Sequence, residues 1–245
     1  MEKETFKYPN TNSSRAKIEY LERKFKNQRI AIVGLGGTGA YILDLVAKTP
    51  VKEIHLFDAD FFQLHNAFRA PGATNGEKFE VEGGIKKVNY YHEIYSNMHA
   101  GIVPHDIFIT SENVQLLSDF DYVFVCVDKN KARSMITESV IIMNGTFIDV
   151  GMGINKLEDS LIGSMRVTVG TKLKHDHLHN RIGEEDFGEN EYATNIQIAE
   201  LNCLNAVYAV IKWKKLCGFY QDLKQEHNSL YFINTGKLLN EDNAA

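Results

Sequence analysis

Cysteine, proline and long apolar runs are all scarce in this chain. Three cysteines in 245 residues, with no Cys-x-x-Cys pair, leave neither a disulfide scaffold nor a structural zinc site. Four prolines exclude a Pro-rich linker. No uncharged run reaches the roughly 18 residues of a membrane span, and the opening MEKETFKYPN has no apolar signal-peptide core. Excess positive charge is missing too: the net charge is −5, so the surface is no nucleic-acid footprint. Repeats and low-complexity tracts are absent. What remains is expected to be a soluble, reduced, cytoplasmic protein that engages neither membrane nor nucleic acid. With 44% apolar and 24% charged residues, the composition supplies a full core for one large domain or two small ones.

Residues 1–29 are polar and basic, and Asn12-Ser13-Ser14 ahead of Ile18, Leu21 and Phe25 predicts a capped amphipathic helix. Short β-branched or aromatic runs then predict strands at 29–33, 53–57, 122–127 and 146–150. Helices are expected between them at 39–48, 85–98 and 129–143. This alternation means βαβ units in a mainly parallel sheet. Beyond 150 the pattern predicts a strand at 161–169, a polar stretch at 170–192, a long helix at 195–216, a last strand at 230–234 and a polar tail.

The sequence GLGGTG from Gly34 to Gly39 follows the first strand and opens the first helix. Glycines there permit a tight turn and let bare backbone N–H groups approach a phosphate. Asp58 follows the second strand, where a carboxylate can accept from ribose hydroxyls. No Lys-Ser/Thr follows Gly39, which excludes a Walker A loop. The glycines alone fit NAD and ATP equally. Asp60, Asn66, Arg69, Lys87, Asp128 and Arg133 favour ATP, because cleaving a triphosphate needs cations on phosphoryl oxygens and a carboxylate for Mg²⁺.

The ordered set IAIVGLGGTG, EIHLFDADFFQLHNAFR, Lys87 and CVDKNKAR resembles the ThiF/MoeB family, related to the adenylation domains of ubiquitin-activating enzymes. HNAFRAPGA and NEYATNIQIAELN are similar to bacterial ThiF-type proteins of ubiquitin-like modification systems. The resemblance implies a Rossmann-like α/β fold, a mainly parallel sheet with helices on both faces. Residues 1–28 would form an N-terminal helical extension, 29–238 the adenylation domain with a crossover loop at 170–192, and 239–245 a tail. It implies an enzyme that uses ATP and Mg²⁺ to adenylate the C-terminal carboxylate of a ubiquitin-like or sulfur-carrier protein ending in Gly. In that picture Gly34, Gly36, Gly37, Gly39, Asp58 and Asp60 hold the nucleotide. Asn66, Arg69 and Lys87 steady its phosphates and Asp128 holds Mg²⁺, with Arg69, Lys87 and Asp128 as the catalytic set. Arg15 would reach the partner's nucleotide in a homodimer. Lys87 is preferred to Lys86, and Arg133 is expected to brace Asp128. Two other readings use the same loop: an NAD(P)-dependent oxidoreductase, and a non-catalytic nucleotide-binding interaction subunit.

Cys126, inside a strand, is expected to be buried and inert. A catalytic cysteine is not expected in this chain, and later steps are expected elsewhere. His175-x-His177-x-His179 is read as a solvated segment rather than a metal site. The acidic run from Glu184 to Glu191 is read as solvated, with docking of a basic tail as its alternative.

Overall fold

A computed structural model describes residues 4–183 and 196–243. Two short helices, α1 (Thr11–Ala16) and α2 (Glu19–Glu22), replace the single N-terminal helix. The cap of α1 is Asn10, whose side chain accepts from the N–H groups of Asn12 and Ser13. At Lys17 the backbone turns left-handed and ends α1 after six residues.

The chain then alternates: β1 (Arg29–Val33), α3 (Gly37–Val46), β2 (Glu53–Phe57), the one-turn α4 (Leu64–Ala67), α5 (Lys87–Tyr95) and β3 (Ile102–His105). Next come β4 (Tyr122–Val125), α6 (Asn130–Ile142), β5 (Phe147–Leu157), β6 (Ser160–Gly170), α7 (Ala199–Leu216), β7 (Glu226–Phe232) and β8 (Lys237–Asn243). They form one sheet in the order β3-β2-β1-β4-β5-β6-β7-β8, parallel from β3 to β5 and antiparallel from β5 to β8.

Ile30 to Val33 are all buried because β1 lies centrally, with helices on both faces. On one face α3, α5 and α7 pack Leu43, Val46, Tyr91 and Trp213 against Ile30, Ile32 and Phe124. On the other, α6 packs Ile136 and Val140 against Ala31, Val33 and Val125.

Three differences have physical reasons. The edge strand β3 is only four residues long and contains Pro104, so the apolar pattern hides it. The last predicted strand is shifted to Glu226–Phe232, whose first half carries buried polar residues (Glu226, His227, Asn228) in place of an apolar run. The segment read as a polar tail is strand β8 through Asn243, a polar edge strand paired with β7.

The N-terminal segment wraps the N-terminal ends of the strands. Lys7 N–H donates to Met98 C=O at 2.9 Å, Ala100 N–H to Thr5 C=O at 2.8 Å, and Trp213 Nε1–H to Gln28 Oε1 at 3.1 Å. Among the described residues no helix is long and apolar enough to cross a membrane.

Candidate active site

Order 3-2-1-4 reverses direction between β1 and β4, and parallel α/β sheets bind ligands at such a switch point, beyond the C-terminal strand ends. Gly34 follows β1 there, Asp58 follows β2 and Asp128 lies three residues past β4.

Gly34 has φ +92° and lies against the Cys126 carbonyl, so a side chain would meet both strain and backbone. Gly37 is pressed by the Asn202 side chain of α7, and Gly39 by the Gly34 carbonyl. At these three positions close packing leaves no room for a side chain. Gly36 differs, since a Cβ there would meet nothing within 4 Å. It caps the ten-residue helix α3, so the open space faces a helix N-terminus, where unpaired N–H groups and the helix dipole favour an anion.

Asp58 is buried and joined to the loop. Its Oδ2 accepts from Leu35 N–H at 2.7 Å and its Oδ1 from Asp60 N–H at 2.8 Å. Burial pushes its pKa up; the Lys87 ammonium, 3.6 Å away, and the two N–H donors oppose the rise. Lys87 is only 7% exposed and also pairs with Asp60 at 2.8 Å, so one cation bridges the two acids after β2. Lys86 instead bonds the Ala59 carbonyl at 2.6 Å, lies over the Phe61 ring and pairs with Asp106.

Asn66 is buried, and its Oδ1 accepts from Gln63 N–H at 2.8 Å, closing a capping box on α4. Its established bond is therefore local. Arg69 follows that turn half-buried, with its Nε buried and without a hydrogen-bond partner. Burial lowers its pKa, while Tyr91 and Asp128 act against the fall. A buried, unsatisfied guanidinium N–H is costly, and an anionic ligand is the partner that would satisfy it. Asp128 itself is exposed.

Arg133 braces something other than the Asp128 carboxylate. Its Nε donates to Asp149 at 2.9 Å and its Nη2 to the Val127 carbonyl at 2.5 Å. Asp149 escaped the motif reading, although an acid inside the apolar run TFIDV was a readable signal of a buried pair. Arg15 lies on α1, exposed, in the segment that wraps the opposite end of the sheet from the glycine loop of its own chain.

Burial raises the pKa of Cys126, Cys203 and Cys217, so each thiol is held away from the reactive thiolate. The three histidines diverge. His177 is buried against His227, whereas His175 and His179 are exposed, and no metal-binding group occurs among the described residues. The acidic run 184–191 lies outside the described residues.

Comparisons with known proteins bear on the fold and the family. The "Adenylyltransferase and sulfurtransferase uba4" of Aspergillus clavatus is 28% identical over 123 residues, covering 49% of this chain and 24% of that protein. "Ubiquitin-like modifier-activating enzyme 5" of Drosophila ananassae is 26% identical over 143 residues, covering 54% of this chain and 36% of that protein. The chain thus spans about a quarter to a third of the length of these relatives. Among solved structures, E. coli MccB with MccA-N7isoASN superposes with a TM-score of 0.72 at 16% identity, over 97% of this chain and 73% of that one. PaaA superposes at 0.69 and 14% identity, over 96% and 74%. At such identities the likeness is one of fold. The model of the ThiF family matches residues 12–155, more than half of the sequence, and the chain belongs to that family.

Proposed function

We propose that this chain uses ATP and Mg²⁺ to adenylate the C-terminal carboxylate of a ubiquitin-like or sulfur-carrier protein ending in Gly. The observation that carries the reading is Arg69, a half-buried guanidinium whose buried Nε lacks a partner and whose charge interacts with Asp128. The open space at Gly36 supports it, since a phosphate there would meet the α3 N-terminus. The relatives' names, an adenylyltransferase and a modifier-activating enzyme, support the same chemistry.

A terminal carboxylate is already ionised at pH 7, so the site needs no general base. One carboxylate oxygen attacks the α-phosphorus, forming a new P–O bond as the α–β anhydride breaks. Pyrophosphate leaves with the bonding pair, and no proton moves. The residues supply orientation and charge neutralisation. Gly36 and Gly37 backbone groups hold phosphate, Asp58 and Asp60 face the ribose side, and Arg69 with Asn66 steadies the phosphate oxygens. Lys87 joins them by exchanging an acidic partner for a phosphate oxygen. Asp128, an exposed carboxylate at a strand end, fits Mg²⁺, which keeps most of its shell as water and phosphate and takes one or two protein acids. Bound there, Mg²⁺ would neutralise the departing pyrophosphate. Soluble localisation in the cytoplasm and a homodimer complete the proposal, with 1–28 as extension and the adenylation domain running from 29 through β8.

Calorimetry with ATP·Mg²⁺ and with NAD tests it. Binding of ATP·Mg²⁺ with no heat from NAD is the expected result; preferential NAD binding supports the oxidoreductase instead.

A further inference from the structure

Asp149 belongs to no part of the motif that points to the nucleotide. It is fully buried in β5, where Oδ1 accepts from Arg133 Nε at 2.9 Å and Oδ2 from Arg166 Nη2 at 2.6 Å. A carboxylate taken out of water is tolerated only when both oxygens are served in this way. The consequence lies with Arg133, in the first turn of α6. With Nε fixed by Asp149, its Nη1 donates to Asn130 Oδ1 at 2.7 Å and its Nη2 to the Val127 carbonyl at 2.5 Å. Residues 127 and 130 lie on either side of Asp128. One planar guanidinium therefore fastens the β4–α6 turn at both ends and leaves the Asp128 carboxylate exposed. An ammonium on a flexible stem has no such fork.

The anchor extends outward. Arg166 also bonds Thr168, whose hydroxyl donates to Asn228 Oδ1 at 2.8 Å, and Asn228 Nδ2 donates to Glu241 at 3.3 Å. Asp149 is thus tied through β6 and β7 to β8, so the antiparallel half of the sheet supports a turn on its parallel half.

We propose that Asp149 is a positioning residue for Asp128, acting through Arg133 to set where that carboxylate stands over the switch point. The inference rests on the adenylation reading, in which Asp128 meets the cation of ATP·Mg²⁺. Outer-shell partners of metal-binding groups commonly contribute about 10–100-fold in metal affinity.

The test uses the full chain and two variants, Asp149→Asn and Arg133→Lys, so that one carries it if the other fails to fold. ATP affinity is measured with and without Mg²⁺, and amide hydrogen exchange is followed at 127–131 and in β1. The expected result is about tenfold weaker binding of ATP·Mg²⁺ with metal-free ATP unchanged, and faster exchange at 127–131 while β1 stays protected. Equal weakening of both ATP forms, or unchanged exchange at 127–131 in a folded variant, overturns the proposal. A wild-type chain that binds neither form overturns the adenylation reading and this inference together. Wild-type binding that both variants retain overturns this inference alone.

Discussion

Arg69 separates function from stability within one side chain. Its buried Nε has no partner, so replacing it with an apolar side chain of similar length removes an unsatisfied buried donor. Arg69→Met is expected to melt at or above the wild-type temperature while losing about 100-fold in adenylation rate, the scale of one lost transition-state donor. Equal activity would remove Arg69 from the site. Lys87 is the opposite case, since it offsets the burial of Asp58. In Lys87→Met the Asp58 pKa, already raised, rises further. A carboxyl raised in the folded state favours folding below its unfolded pKa, near 4, and that advantage disappears as pH climbs through the folded value. Urea titrations should therefore find the variant close to wild type at pH 4 and destabilised by about 3 kcal/mol at pH 7.5, as for a buried pair stripped of one partner. A pH-independent deficit would contradict the assigned cause.

At the scale of elements, acid sensitivity centres on the turn after α5. His99 is fully buried, accepts from Gly101 N–H on Nδ1 at 3.0 Å and donates from Nε2 to the Val51 carbonyl at 3.0 Å. The bond accepted on Nδ1 requires the neutral ring, and burial pushes its pKa down to about 4 against the opposing pull of the Val51 carbonyl. A depressed histidine contributes stability that is full above the unfolded value near 6.5 and is lost as pH falls through the folded one. That window is worth roughly 3 kcal/mol. It should be absent in His99→Phe, as urea midpoints at pH 7 and pH 4 will record. The ring also packs edge-on to Phe6, so acid should loosen the N-terminal segment first.

The elements legible in the sequence are those with a strong apolar period. The runs RIAIV and EIHLF became β1 and β2 with the expected bounds. Edge strands were not legible: β8 reads KLLNEDN, polar because it is an edge, and β3 is four residues long with Pro104 inside it. The site was legible as a set of residue types in order. The partner of each was not, because pairing is decided across strands far apart in sequence. Arg133 finds Asp149 only once β4 and β5 pair, and Lys87 finds Asp60 only once the chain returns at the Phe61–Lys86 bridge to the end of β2.

For the whole molecule, Arg15 lies on the segment that wraps the far end of its own sheet, so any part it plays at a nucleotide must be across subunits. If it does act in trans, mixing Arg15→Ala with Asp128→Ala protomers restores a site in each mixed dimer, about a quarter of wild-type activity at equal mixing. No restoration would confine Arg15 to a structural role. The central claim is adenylation of a protein C-terminus, and exchange of labelled pyrophosphate into ATP reads that step directly. With Mg²⁺ and a cognate ubiquitin-like or sulfur-carrier protein, exchange should appear with wild type, vanish when the carrier's terminal Gly is removed, and fall by about 100-fold or more in Asp128→Ala. Wild-type exchange rates in Asp128→Ala with that same carrier would contradict the account.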